Sequence, residues 1–294
     1  MAKKLLITGG CSYTDPQYKI SDPSMDQTPG PWPMWPEHLG NKLGLQVMNT
    51  AASGSSNEKI FHETMEKIIQ YRDRVDTVAI LWTEFDRSRF YGITDWMPIS
   101  EASISLGQNP AFPGGGGFEW RDDLGLGGAM VNFFKGKNFW SVRHAFIKYS
   151  IHDSLRHMLM MAEYCKAYNI KYIFMQGLDT LQWRTLNNLA SKLPMNTQPN
   201  GDPAITQVKE YLDFYLKNPW FGNLDRFHKN NIIGWPFDPR LNGYNLDHIR
   251  YSGQHGFDSK KLGYNVSNVD KHPNAEAQKI AADIFYEGYK KTYG

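Results

Sequence analysis

Lys3-Lys4-Leu5-Leu6-Ile7-Thr8-Gly9-Gly10-Cys11-Ser12-Tyr13-Thr14-Asp15 decides how this chain folds. An apolar run stopped by two glycines is the pattern of a buried parallel strand that feeds a tight turn, so residues 3–8 are read as the first strand. The polar residues that follow the turn then stand at the carboxyl end of that strand.

Working outward, residues 45–49 form a second short strand, followed by the small polar stretch 49–56. A helix over 57–72 comes next, because Ser56 can cap it and Ile60, Met65, Ile68 and Ile69 fall near one face. Residues 76–82 make a third strand, 171–176 a fourth and 232–235 a weak fifth. The longest helical pattern covers 141–167, with Val142, Phe146, Tyr149, Leu155, Leu159 and Ala162 as its apolar stripe. Further helices are expected over 203–217 and from about 275 to 290. Strands alternating with helices imply a parallel sheet with helices on both faces. Two stretches break the rhythm, at about 88–140 (including Gly114 to Gly117) and about 195–268, and stretches of that length are typical of binding loops or lids. The whole of 1–294 is read as one domain carrying these two irregular insertions.

Composition narrows the class. A chain of 294 residues allows one large domain or two small ones, and a fold of that size buries about three quarters of its unfolded surface without staples. Lys and Arg number 32 against 30 Asp and Glu, and the net charge of +2 argues against a strongly basic nucleic-acid binder. With only Cys11 and Cys165 there is no disulfide framework, and no Cys/His set has zinc spacing. The apolar run near the amino terminus is too short for a signal-peptide core, and no stretch reaches the roughly 18 apolar residues of a membrane span. The expectation is a soluble protein with no secretion signal, in a reducing compartment.

Ligands of open α/β sheets bind outside the carboxyl ends of the strands. After the first strand stands Gly10-Cys11-Ser12-Tyr13-Thr14; after the second, Ala52-Ser53-Gly54-Ser55-Ser56-Asn57; after the third, Trp82-Thr83-Glu84-Phe85. Just before the last helix come Asp270-Lys271-His272-Pro273-Asn274. These blocks, in this order, resemble the SGNH (GDSL-like) hydrolases, and most of all the branch found in bacteriophage genomes, where Cys often precedes the serine. The resemblance covers the sheet and the final helix. It implies a three-layer α/β/α sandwich with a mostly parallel five-stranded sheet, the flavodoxin-like SGNH fold. It also implies Ser12 as nucleophile and Gly54 in the oxyanion hole. There are two departures. Glu84 stands where the family carries an oxyanion-binding Asn; an ionised Glu would repel an oxyanion, so either Thr83 donates instead or this donor is missing. Asp270 precedes His272 by two positions, where much of the family has three.

The chemistry of a triad agrees with these residue types. A serine hydroxyl needs a base within hydrogen-bond reach, and the base needs a carboxylate to fix its tautomer. Ser12, His272 and Asp270 fit those roles if both loops meet at one sheet edge. The N–H groups of Ser12 and Gly54 and the Thr83 hydroxyl would face the oxyanion, with Asn57 and Glu84 as neighbours. Taken singly, each signal has a plainer reading: a Gly-Gly-Cys-Ser stretch is a tight turn, and Asp-x-His before a helix is a cap. Cys11 should turn away from the site, and Cys165 should lie in the core. Gly114 to Gly117 lacks the ending of a phosphate loop and reads as a turn. His62, His152 and His157 lack metal-ligand spacing and are read as solvated helix positions. Trp32, Trp35, Trp96, Trp120, Tyr244 and Tyr251 sit in irregular segments, where they either stack on sugars or pack onto the sheet.

The function expected from all this is a serine esterase that removes acetyl or other short acyl groups from a carbohydrate, with no cofactor and no metal. Its partner is an acylated small molecule or polysaccharide, with no nucleic acid and no membrane. The alternatives are an O-acyltransferase using the same residues, or a weakly active or inactive virion protein that binds carbohydrate. The chain would be cytoplasmic when made, and the phage resemblance adds other virion proteins as partners.

Overall fold

The computed structural model describes residues 3–85, 87–91, 96–100, 139–178, 180, 203–238, 241–252 and 263–294. Its centre is a five-stranded sheet of β1 (Leu5–Gly9), β2 (Gln46–Asn49), β3 (Val75–Trp82), β6 (Lys171–Gln176) and β7 (Ile232–Ile233). These lie in the order β2-β1-β3-β6-β7, and every neighbouring pair is parallel. This is the flavodoxin-like order, in which the strand order reverses between β1 and β3 and leaves a crevice there. A separate antiparallel hairpin joins β4 (Arg87–Tyr91) to β5 (Trp96–Ser100).

All five residues of β1 are buried, as a strand covered on both faces requires. Alternation along the strands sorts the two cores. Ile7, Val78, Ile80 and Phe174 pack with α2 (Asn57–Gln70), α3 (Phe139–Ala167), α4 (Pro203–Lys217) and α5 (Pro219–Phe227). Leu6, Ala79, Leu81, Ile173 and Met175 face α1 (Trp35–Leu43), α6 (Leu246–Ser252) and α7 (Ala275–Tyr293). The result is the expected three layers.

Local chemistry sets the helix ends. Ser56 Oγ accepts from Lys59 N at 3.3 Å to start α2, and Asn274 Oδ1 accepts from Ala277 N at 3.0 Å to start α7. Asn218 caps α5 through Trp220 N, with Pro219 at its first position. The strand after α5 ends two residues earlier than expected, because Gly234 turns the chain and its carbonyl accepts from both Phe237 N and Tyr244 N.

Several expectations change. Tyr149 is 61% exposed and Ile69 59% exposed. Tyr149 stands two residues from both Ile147 and Ile151, which carry the buried stripe, and two residues turn a helix by about 200°. Ile69 is one residue past the buried Ile68 and rotates off the face. The side chains of Val142 and Phe146, and Gly114 to Gly117 with Trp120, lie outside the described residues, as do the side chains of Trp96 and Tyr251. Trp35 is fully buried, stacked on Phe285 at 4.3 Å, so it packs the core and offers no sugar platform. Tyr244 likewise packs against the core. Of the three histidines, His62 is exposed, while His152 accepts from Trp220 Nε1 at 3.0 Å. His157 is buried between α2 and α3, stacked on Phe61 at 4.6 Å.

Burial pushes the His157 imidazole down to about 3, with Arg156 and His62 adding to the effect. The folded chain therefore refuses a proton that the unfolded chain takes up below about pH 6.5. Stability should rise with pH between about 3 and 6.5. Replacing His157 with Phe should flatten that rise by up to about 1.4 kcal/mol per pH unit, read from denaturant titrations at pH 4 to 7. An unchanged slope would mean that His157 is protonated in the fold.

Candidate active site

Ser12 follows β1 in a single helical turn, in which Thr14 N and Asp15 N both donate to Cys11 O, at 2.9 and 3.1 Å. Gly10 is required in this turn: a Cβ there would stand 2.2 Å from Thr14 Oγ1, which is already accepting from Trp35 Nε1. Cys11 points into the core and is fully buried, leaving the partly exposed Ser12 as the side chain presented outward.

His272 arrives from the other end of the sequence, in a loop pinned by Val266 N to His272 O and Ser267 N to Asp270 O, both 3.0 Å. Its Nε2 stands 2.9 Å from Ser12 Oγ and its Nδ1 2.7 Å from Asp270 Oδ1. The carboxylate is fully buried, whereas the imidazole side chain is 30% exposed. Asp270 Oδ1 also accepts from its neighbour's amide, His272 N, at 2.9 Å. Oδ2 accepts from the Tyr18 hydroxyl and from Ser21 N at 2.6 Å. Burial acts to raise the Asp270 carboxyl, but the hydrogen bonds from His272, Tyr18 and the two amides outweigh it and hold the group well below the ordinary carboxylate range. An ionised Asp270 accepts a hydrogen bond from Nδ1–H, so Nε2 carries the lone pair and faces the Ser12 hydroxyl.

Gly54 lies in the loop after β2 with φ +71°, a left-handed conformation suited to glycine, and Ser55 N closes the turn on Ala52 O at 3.2 Å. Two bridges fix this loop to the Ser12 turn. Asp15 Oδ2 accepts from both Ser53 N (2.8 Å) and Ser53 Oγ (2.6 Å), while Asn49 Nδ2 donates to Thr14 O at 2.7 Å. From the opposite side of the turn, Gln278 of α7 donates to Tyr13 O and accepts from Trp35 N.

Thr83, Asn57 and Glu84 form a buried network at the carboxyl end of β3. The Asn57 side chain pairs with Thr83 in both directions, accepting from its N–H at 2.9 Å and donating to its carbonyl at 3.1 Å, and also reaches Ser154 Oγ. The Thr83 hydroxyl donates to Glu84 Oε2 at 2.5 Å. A hydroxyl has one proton, so the donor expected for an oxyanion is spent here inside the protein.

Asp15, Tyr18, Ser21 and Gln278 did not stand out in the sequence. Asp15 carried the one available signal, a charged side chain in a small polar turn three residues after the serine. Among the described residues no set of His, Cys, Asp and Glu could hold a metal ion, and no helix is long and apolar enough to cross a membrane.

No family model matches this chain, and no curated protein does. Among solved structures it is similar to TesA, with 12% identity and a TM-score of 0.42 over 98% of both chains. It is also similar to the acetyl xylan esterase AlAXEase, at 10% and 0.38 over 96% of this chain and 98% of that one. A third likeness is to a candidate GDSL-like lipase from Parabacteroides merdae, at 10% and 0.40 over 98% of this chain and 96% of that one. At these values the chemistry has to be argued from this chain's own side chains.

The Asp15 bridge can be tested directly. Asp15→Ala should speed amide exchange at Ser53 and its loop neighbours by at least about tenfold in hydrogen–deuterium exchange, since one buried charge-assisted bridge is lost. Protection equal to the parent chain would mean that Asn49 alone holds the two loops together.

Proposed function

We propose that the chain is a serine ester hydrolase of the SGNH type that removes acetyl or other short acyl groups from a carbohydrate. The observation that carries this reading is the continuous relay from the buried Asp270 through His272 to Ser12, with every distance between 2.7 and 2.9 Å.

In this reading Ser12 Oγ attacks the ester carbonyl carbon while His272 Nε2 takes the hydroxyl proton. The tetrahedral intermediate collapses as the same proton passes to the departing alkoxide, which leaves as the sugar alcohol. Water then attacks the acyl-enzyme, giving its proton to His272, and the carboxylic acid is released with Ser12 restored. Asp270 holds the imidazole tautomer and balances the imidazolium that forms. The amides of Ser12 and Gly54 are assigned to the developing oxyanion. The carbohydrate rests on the aromatic content of the irregular segments, of which Trp32 lies 6.5 Å from Tyr18, ring centre to ring centre.

A second reading follows from Thr83. With its proton given to Glu84, two backbone amides remain for the oxyanion, and losing one donor costs on the order of a hundred- to a thousand-fold in rate. That supports a slow catalyst, and at the limit a carbohydrate-binding virion protein on the same fold. An O-acyltransferase would use the same steps with a sugar alcohol replacing water.

The parent chain should turn over p-nitrophenyl acetate and acquire a fluorophosphonate adduct on Ser12, located by peptide mass. Ser12→Ala and His272→Ala should each lower kcat by about three orders of magnitude or more, with the fold retained by circular dichroism. Acetate release from acetylated xylan tests the substrate, and acyl transfer to added sugar tests the transferase. Absence of both labelling and turnover selects the binding protein.

Glu84→Asn and Thr83→Val separate the two accounts of the third block. If the network is purely structural, both leave kcat within about threefold and lower thermal stability, since each breaks a buried hydrogen bond. A rise of tenfold or more in Glu84→Asn would place that side chain at the oxyanion.

A further inference from the structure

The sequence between Ser12 and Ser21 supplies more of the site than its nucleophile. Ser12 carries the hydroxyl, Asp15 ties down the Gly54 loop, and Tyr18 and Ser21 both donate to Asp270 Oδ2. We infer that Tyr18 is a positioning residue of the relay, its hydroxyl clamping the Asp270 carboxylate and its ring plating the His272 imidazole. The inference rests on the hydrolase reading for its catalytic consequence, and on geometry alone for the clamp.

The clamp follows from counting lone pairs. A carboxylate offers about four acceptor positions, and Asp270 has four donors: His272 N and Nδ1 on Oδ1, Tyr18 O–H and Ser21 N on Oδ2. With both oxygens engaged from two directions, the group cannot turn about its Cβ–Cγ bond without breaking a bond. Without the phenol, Oδ2 keeps a single amide donor, and Oδ1 is freer to swing away from Nδ1. The phenol stays protonated and able to donate, since burial and then Asp270 push it above its ordinary range.

The ring contributes separately. Its centroid lies 4.7 Å from that of His272 with the planes tilted by 38°, while Tyr13 meets the same imidazole edge-on at 5.5 Å. Two rings therefore limit the rotation that would carry Nε2 away from Ser12. Tyr18 is itself well anchored. It is 4% exposed, packs with Ile20 and Met34, donates from its amide to Asp15 O and accepts from Gly30 N.

The test uses Tyr18→Phe, which keeps the ring and removes the hydroxyl, and Tyr18→Leu, which removes both. Two readouts are taken on the full chain: kcat and KM for p-nitrophenyl acetate, and the downfield proton resonance of His272 Nδ1–H. In Tyr18→Phe the resonance should move and kcat should fall about tenfold, with KM within twofold, as expected for one hydrogen bond to a charged group. In Tyr18→Leu kcat should fall about a hundredfold. An unmoved resonance in Tyr18→Phe overturns the clamp, even if the parent chain proves to have no esterase activity. A parent that turns over ester, with kcat unchanged in Tyr18→Phe, overturns the positioning role while leaving the hydrolase reading intact. Should Tyr18→Leu fail to fold, Tyr18→Phe decides alone.

Discussion

The pairing of β1 between β2 and β3 is the constraint from which the rest follows. Because both of its edges are bonded in parallel, β1 is buried on all sides, and the connections on either flank must run in opposite directions across the sheet. That reversal opens the crevice into which the Ser12 turn, the Gly54 loop and the end of β3 all project. The same burial explains why Leu5 to Ile7 carry no polar side chain, and why the sequence changes character at Gly9-Gly10, where the chain leaves the sheet.

Much of the fold was readable because it rests on local signals. Lys171 to Gln176 is a β-rich apolar run and is a strand over those residues; Ser56 and Asn274 stand where helix-capping residues should, and both cap. Ser12, Asp270 and His272 stood out in the sequence as a candidate triad, and the fold brings His272 within hydrogen-bond distance of both Ser12 and Asp270. What escaped the sequence depends on distant partners. Asp15 reads as a turn residue until Ser53 is brought against it from 38 positions away, and Tyr18 reads as a loop aromatic until Asp270 meets it across 252. The short helices α1, α5 and α6 were missed for a related reason. At nine, nine and seven residues they are too short to show a period, and their stability comes from what they cover.

The carboxyl end of β3 shows how one buried carboxylate organises its surroundings. A carboxylate at position 84, almost fully buried at 3% exposure, needs donors, and the neighbouring hydroxyl supplies one. Asn57 then takes up the Thr83 backbone from α2, and Gln176 reaches the same carbonyl from β6 at 2.6 Å. These bonds tie the ends of two strands to a helix.

Ser12 and His272 are separated by 260 residues and meet within a single hydrogen bond. A ribosome adding about 5 to 20 residues per second needs on the order of tens of seconds to pass from one to the other. Throughout that interval the serine turn is already made, while its partners on the last loop and helix α7 do not yet exist. Whatever reactivity the relay confers is therefore absent from the growing chain until the loop that carries Asp270 and His272 has been made and has docked beside Ser12. A chain interrupted before that loop would carry all five strands of the sheet and a serine turn without its imidazole.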